Sequence, residues 1–111
     1  MEELSAAAPR RARGVDRPVG PLAFGCWRFT HRDIDEAAGL VETAVELGWR
    51  LVDTADVYGL DWGGAGFGAC ERRLGEVFRV APHLRERIVL ATKGGIRPGV
   101  PYDSSGAHLV A

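Results

Sequence analysis

Three side chains in this sequence have the types and placement for proton chemistry: Asp53, Tyr58 and Lys93. Asp53 directly follows the apolar pair Leu51-Val52, which reads as the buried part of a strand, so its carboxylate falls at or just past that strand's C-terminal end. Tyr58 lies in the connection that leads on to the next helix. Lys93 ends a second apolar run, Ile88 to Thr92, in the same way. An unperturbed phenol titrates at about pH 10 and is a weak acid at neutral pH. A neighbouring ammonium favours the phenolate and makes the phenol a better proton donor to a developing alkoxide. A carboxylate paired with that ammonium would fix its position and compensate its charge. Such a set suits the reduction of a carbonyl, in which hydride reaches carbon and the tyrosine protonates oxygen. The plainer alternative is that Asp53 and Thr54 cap a turn while Tyr58 covers the sheet with its ring.

The basic residues add one detail. Of the 14, 13 are arginine, and Lys93 is the single lysine. An ammonium is a compact charge that fits beside a phenol, whereas guanidinium is a broad planar fork. Lysine at this position therefore suggests a specific demand, although a strand-end lysine can also simply snorkel to solvent.

The elements that must position these groups alternate along the chain. Leu22-Ala23-Phe24-Gly25 reads as a short strand, followed by the turn Gly25-Cys26-Trp27. Thr30 or Asp33 can cap a helix in which Ala37, Leu40, Val41, Ala44 and Val45 recur at helical spacing, with Gly48 as its stop. A second strand is expected from Arg50 to about Ala55. A glycine-rich connection, Gly59 to Gly68, then leads to a helix over Ala69 to Val80, ended by Ala81-Pro82. A turn through His83 to Glu86 precedes the third strand, Ile88 to Thr92, and Ala107 to Ala111 looks like the first turn of another helix. The order β-α-β-α-β plus the start of an α calls for an α/β fold of parallel strands with right-handed crossovers. Parallel strands would bring the ends at Gly25-Cys26-Trp27, Asp53 and Lys93 to one face.

Composition narrows the function classes. The 111 residues are 46% hydrophobic and 26% charged with a formal net charge of -1, as in a globular protein. No basic stripe for nucleic acid is present, and Arg10, Arg11, Arg13 and Arg17 sit in a Pro/Gly/Ala-rich leader expected to be loosely attached. No run of 18 or more apolar residues exists to span a membrane, and the leader lacks the apolar core of a secretory signal. Cys26 and Cys70 form neither a disulfide framework nor a zinc set, so buried reduced thiols of a cytoplasmic protein are expected. His31 and His83 suggest no metal site, and Trp27 and Trp62 fall in βα loops where they could line a pocket. Gly64-Ala65-Gly66-Phe67-Gly68-Ala69 matches the loose dinucleotide fingerprint, but its glycines begin well after the preceding strand rather than directly on it.

Asp53-Thr54-Ala55-Asp56-Val57-Tyr58-Gly59, then Glu71 to Gly75, then Arg87 to Lys93 ending in Thr92-Lys93, resembles the aldo-keto reductase family. Leu22 to Trp27 and Gly48-Trp49-Arg50 look like its first strand and the end of its first helix. The resemblance covers about residues 20–111. It implies the N-terminal third of a (β/α)8 TIM barrel, with residues 1–18 a flexible leader and 19–111 a partial reductase domain. It further implies an oxidoreductase that uses NADP(H), with NAD(H) the lesser alternative, to reduce small aldehydes and ketones. Carried over by motif, Tyr58 is the general acid, Lys93 its partner and Asp53 the carboxylate behind Lys93. Gly25, Cys26, Trp27 and Asp53 border the cofactor, and no metal is implied. The family's fourth catalytic residue, a histidine after a fourth strand, has no counterpart in these residues; His108 falls in the helix after strand three. The chain by itself is therefore expected to be inactive. The alternatives are a non-catalytic fragment, a nicotinamide-binding regulatory subunit, or an unrelated nucleotide-binding domain using the glycine-rich loop.

Overall fold

The computed structural model describes residues 10–30, 33–61 and 63–110. Three short strands, β1 (Ala23–Gly25), β2 (Leu51–Asp53) and β3 (Val89–Ala91), form one sheet in the order β1-β2-β3. Both pairings are parallel, and the register sets Gly25, Asp53 and Ala91 in one row across the sheet at its C-terminal end. Between the strands run α1 (Ile34–Glu46), α2 (Ala69–Val80) and the short α3 (Pro82–Arg87), and α4 (Gly106–Val110) follows β3.

Each helix begins and ends for a local reason. Asp33 is the N-cap of α1, its carboxylate accepting from the backbone N–H of Asp35 at 2.8 Å and of Glu36 at 3.5 Å. Asp35 and Glu36 occupy the first turn, where the helix dipole favours negative charge. Gly48 then takes a positive φ of 84° just past the helix end, a conformation a side chain would resist. Sequence reasoning expected a plain turn at His83 to Glu86, where the structure has α3. The proline that stops α2 sits at the start of α3, where its missing N–H costs nothing and its fixed φ suits a first turn. The strands are shorter than expected, but pairing continues past them: Cys26 N–H donates to Asp53 O, Thr54 N–H to Ala91 O and Asp56 N–H to Lys93 O, at 2.8–3.1 Å.

The core lies between the sheet and the helices. Val41 and Val45 of α1, Leu74 and Val77 of α2, Leu84 of α3, Val52 of β2, and Ile88 between α3 and β3 form one buried cluster with Cys26, Cys70 and Phe29. Period-2 alternation follows: Val52 is buried toward the helices, whereas Leu51 and Asp53 point to the other face and are only half-buried. Residues 1–9 of the leader fall outside the described residues, as do His31 and Trp62. The rest of the leader makes an antiparallel bridge, Arg11 to Pro18. Arg17 donates to the carbonyl oxygens of Glu86 at 2.8 Å and Ile88 at 3.0 Å, where α3 ends. No described helix is long and apolar enough to cross a membrane.

Asp33→Ala is expected to lower stability by about 1 kcal/mol, the usual worth of an N-cap side chain. Urea denaturation checks this; a midpoint equal to the parent's would show that the cap contributes nothing.

Candidate active site

The register that aligns the strand ends also assembles the charged group. The row Gly25–Asp53–Ala91 places Asp53 on the central strand, facing away from the helices, and Lys93 emerges two residues past Ala91 on the neighbouring strand. The Lys93 ammonium donates to Asp53 Oδ1 and Oδ2, both at 2.9 Å, and to the backbone carbonyl of Thr54 at 2.9 Å. Its nitrogen also stands 5.0 Å from the centroid of the Tyr58 ring, within cation–π range. Asp53, Tyr58 and Lys93 are thus brought together, and the Thr54 carbonyl is an additional acceptor that no side-chain pattern could have disclosed.

Burial at the strand end tends to lower the Lys93 pKa, but hydrogen bonding and attraction from the Asp53 carboxylate and the Tyr58 phenol outweigh it. The ammonium is held above the ordinary lysine value, so it stays charged across the neutral range. The side chains of Lys93 and Asp53 are 50% and 41% exposed, which limits the pair's contribution to stability to about 1 kcal/mol or less. Its value is geometric.

Tyr58 is held by the backbone on both sides. Its N–H donates to Ala55 O at 3.3 Å, and its carbonyl accepts from the N–H of Cys70 in the first turn of α2 at 3.1 Å. Gly59 follows with φ 115°, and a Cβ there would come within 2.5 Å of Ala69 Cβ and Gly66 O. Only glycine lets the chain leave Tyr58 in this direction. Beside the phenol and the ammonium lies a recess of about 160 Å³, lined by Ala55, Asp56, Val57, Tyr58, Lys93, Gly94 and Ile96. A larger hollow of about 410 Å³ lies outside α2, against Gly64, Ala69, Arg72 and Arg73, and contains none of the candidate residues.

The three expected cofactor neighbours in the first βα turn fall into two groups. Gly25 is exposed, with open space where a side chain would be, and Trp27 is 50% exposed with Arg28 over its ring. Both are therefore open to a ligand at the strand ends. Cys26 instead turns inward and is fully buried, so it can border a ligand through its backbone alone. Burial, then the neighbouring Cys70 and Asp53, push its thiol up to about 12, against the Thr54 hydrogen bond and the Lys93 charge. Cys70 is also buried and raised, and both are the small core packers that the sequence suggested. The glycine-rich loop spends its N–H groups internally: Gly66 on Gly59 O and Gly68 on Asp56 O. Those two groups are therefore not offered to a phosphate in this conformation. His108 lies in α4, its N–H bonded to Ser105 Oγ. Among the described residues no group of three or more His, Cys, Asp or Glu could hold a metal ion.

One contact was not anticipated. The Thr92 hydroxyl donates to Glu71 Oε1 of α2 at 2.6 Å, tying the residue before Lys93 to the helix after Tyr58. Both residues lie in segments that carry the family resemblance, but nothing in the sequence pairs them, since 20 residues intervene.

The fold and site define a parallel-strand α/β architecture in which charged groups gather at the strand C-termini. The family model described as "Aldo/keto reductase family" matches residues 21–110, and the chain belongs to that family. It is 52% identical over 93 residues to a Novosphingobium aromaticivorans protein named 6-dehydroglucose reductase, a match covering 82% of this chain and 30% of that protein. A Pseudomonas aeruginosa structure described as a candidate aldo-keto reductase superposes with a TM-score of 0.71 at 33% identity, covering 95% of this chain and 38% of that one. A Bacillus halodurans aldo-keto reductase solved in its holo form gives a TM-score of 0.66 at 29% identity, covering 91% of this chain and 32% of that one. The chain thus spans about a third of the length of these three proteins, and its three strands correspond to part of an aldo-keto reductase barrel.

Buried thiols of this kind are expected to resist alkylation. At pH 8, Cys26 and Cys70 should react with iodoacetamide at least about a hundredfold more slowly in the folded protein than in urea. Comparable rates in both states would mean that one thiol is open to solvent.

Proposed function

We propose that this chain carries the proton-donating part of a nicotinamide-dependent carbonyl reductase, with Tyr58 as general acid, Lys93 as its partner and Asp53 as the carboxylate that holds Lys93. The observation that carries this reading is the Lys93 ammonium, 2.9 Å from both Asp53 oxygens and 5.0 Å from the Tyr58 ring centroid. An NADPH cofactor fits the residues present. Gly25 leaves open space, Trp27 offers an exposed ring, and Asp53 lies in register with Gly25 on the same row. Gly25, Trp27, Asp53 and the Cys26 backbone would border its nicotinamide end, and the bound cofactor supplies hydride to the substrate carbon.

The chain's own residues account for the rest. As negative charge grows on the carbonyl oxygen, the Tyr58 hydroxyl donates its proton there. The Lys93 ammonium stabilises the charge left on the phenol oxygen. Asp53 and the Thr54 carbonyl keep the ammonium from turning into solvent. The substrate is a small aldehyde or ketone, admitted beside Tyr58. The relative's name makes sugar-derived carbonyl compounds the first to assay. Free thiols suit a cytoplasmic setting.

In the intact protein, Tyr58→Phe should lower kcat about a hundredfold or more, the usual scale for a lost general acid, while cofactor binding survives. Lys93→Met should also lower kcat strongly, and Lys93→Arg should restore little of it. Steady-state kinetics decide: turnover of Tyr58→Phe within a few-fold of the parent removes Tyr58 from the role, and full rescue by arginine reduces Lys93 to a general positive charge. The 111 residues expressed by themselves should not oxidise NADPH with any aldehyde in a broad panel. Misplacing reacting groups by about 1 Å can cost a hundredfold, and a three-stranded open sheet lacks the neighbours that fix such spacing. Turnover at ordinary enzymatic rates would contradict this.

A further inference from the structure

We propose that Glu71 is a positioning residue for Lys93, acting through the Thr92 hydroxyl; this rests on the role given to Lys93 above. Pairing between β2 and β3 reaches Ala91, and beyond it the Thr92-Lys93 backbone is tied toward β2 by Asp56 N–H donating to Lys93 O at 3.1 Å. The other tie is the Thr92 hydroxyl, which donates to Glu71 Oε1 at 2.6 Å. Thr92 and Lys93 are adjacent, so the direction in which the lysine leaves the backbone follows from how this short segment is held.

Glu71 belongs to the helical turn that also fixes Tyr58. At the start of α2, Gly68 N–H donates to Asp56 O at 2.7 Å and Cys70 N–H to Tyr58 O at 3.1 Å. Cys70 is fully buried, which anchors that turn in the core. One turn of helix therefore grips the Tyr58 loop by its backbone and the Lys93 strand end by the Glu71 side chain. It sets the spacing between phenol and ammonium from a single rigid piece. A carboxylate accepts from a threonine hydroxyl without needing a charge, so the amide oxygen of glutamine can do the same.

A merely structural role makes a different forecast. Glu71 lies in the first turn of α2, where its negative charge also suits the helix dipole. If that were its whole contribution, Glu71→Gln would behave like Glu71→Ala, and Thr92→Val would be silent. If Glu71 positions Lys93, Glu71→Gln and Thr92→Ser keep the bond, while Glu71→Ala and Thr92→Val break it.

The experiment uses the intact protein that carries this chain, labelled with 15N at the lysine side chains. The Lys93 ammonium signal is assigned by its loss in Lys93→Arg, and its proton exchange with water is followed at neutral pH. Glu71→Ala and Thr92→Val should speed that exchange about fivefold or more and lower kcat about tenfold, with KM for the carbonyl little changed. Glu71→Gln and Thr92→Ser should stay within about twofold of the parent on both measures. Exchange and kcat at parental values in Thr92→Val overturn the proposal, and that variant decides alone if Glu71→Ala fails to fold. Asp53→Asn separates the two readings. Fast exchange in Asp53→Asn with parental exchange in Thr92→Val rejects the Glu71 tie and leaves the Lys93–Asp53 contact standing. Parental exchange in Asp53→Asn rejects that contact and the proposal built on it.

Discussion

A single ammonium held by three oxygens is the constraint around which this chain is arranged. Lys93 meets both carboxylate oxygens of Asp53 and the carbonyl of Thr54, all at 2.9 Å. Those acceptors come from the end of β2, whereas the lysine comes from the end of β3, so the contact exists only if the two strands are parallel, adjacent and in the observed register. A shift of one residue would turn Asp53 toward the helices and Val52 toward the ammonium. The pair itself is half-exposed and stabilises the fold little. Register is instead enforced from behind, by Val52 buried against α1 and α2, and by Ile88 buried beside Leu84.

This division of labour explains why the site can be polar and open while the fold stays specified. In the helix-facing row Val52 is buried, with Phe24 half-buried and Leu90 exposed beside it, and the opposite row carries the charged group. Gly25, Asp53 and Ala91 occupy that opposite row, and two of the three carry no bulk. Tyr58 bridges the two sides: its ring packs against the core cluster while the ammonium stands over its face. The glycines around it serve the same end. Gly59 gives the backbone its exit from Tyr58, and the loop that follows folds back on Gly59 O and Asp56 O.

Much of this was legible in the sequence. The helical spacing of Ala37, Leu40, Val41, Ala44 and Val45 gave α1, although Leu40 is exposed; Gly48 marked its end, and of the two cap candidates, Thr30 and Asp33, the structure uses Asp33. The apolar runs before Asp53 and Lys93 located two strand ends, and alternation implied that they lie together. What stayed hidden depended on backbone atoms or on distant partners. The Thr54 carbonyl has no side-chain signature. Glu71 meets Thr92 only because the first turn of α2 lies against the chain just past β3, which spacing along the chain cannot express. The helix at Pro82 was read as a turn because proline usually ends a helix, and here it also starts one. Cys26 was legible as a small buried packer, and alternation past the strand end turns its thiol into the core, leaving its backbone for the cofactor-bordering place that the family resemblance implies.

The central claim is that, once cofactor is bound, Asp53 acts on the chemical step by holding Lys93, and a double-mutant cycle at saturating cofactor tests it most directly. Turnover of the intact protein would be compared for the parent, Asp53→Asn, Lys93→Met and the double variant. Groups that act as one unit give strongly non-additive losses. The account predicts that the double variant is no slower than Lys93→Met alone, within about a factor of two. Losses that multiply would contradict it and give Asp53 an effect on the reaction independent of the ammonium.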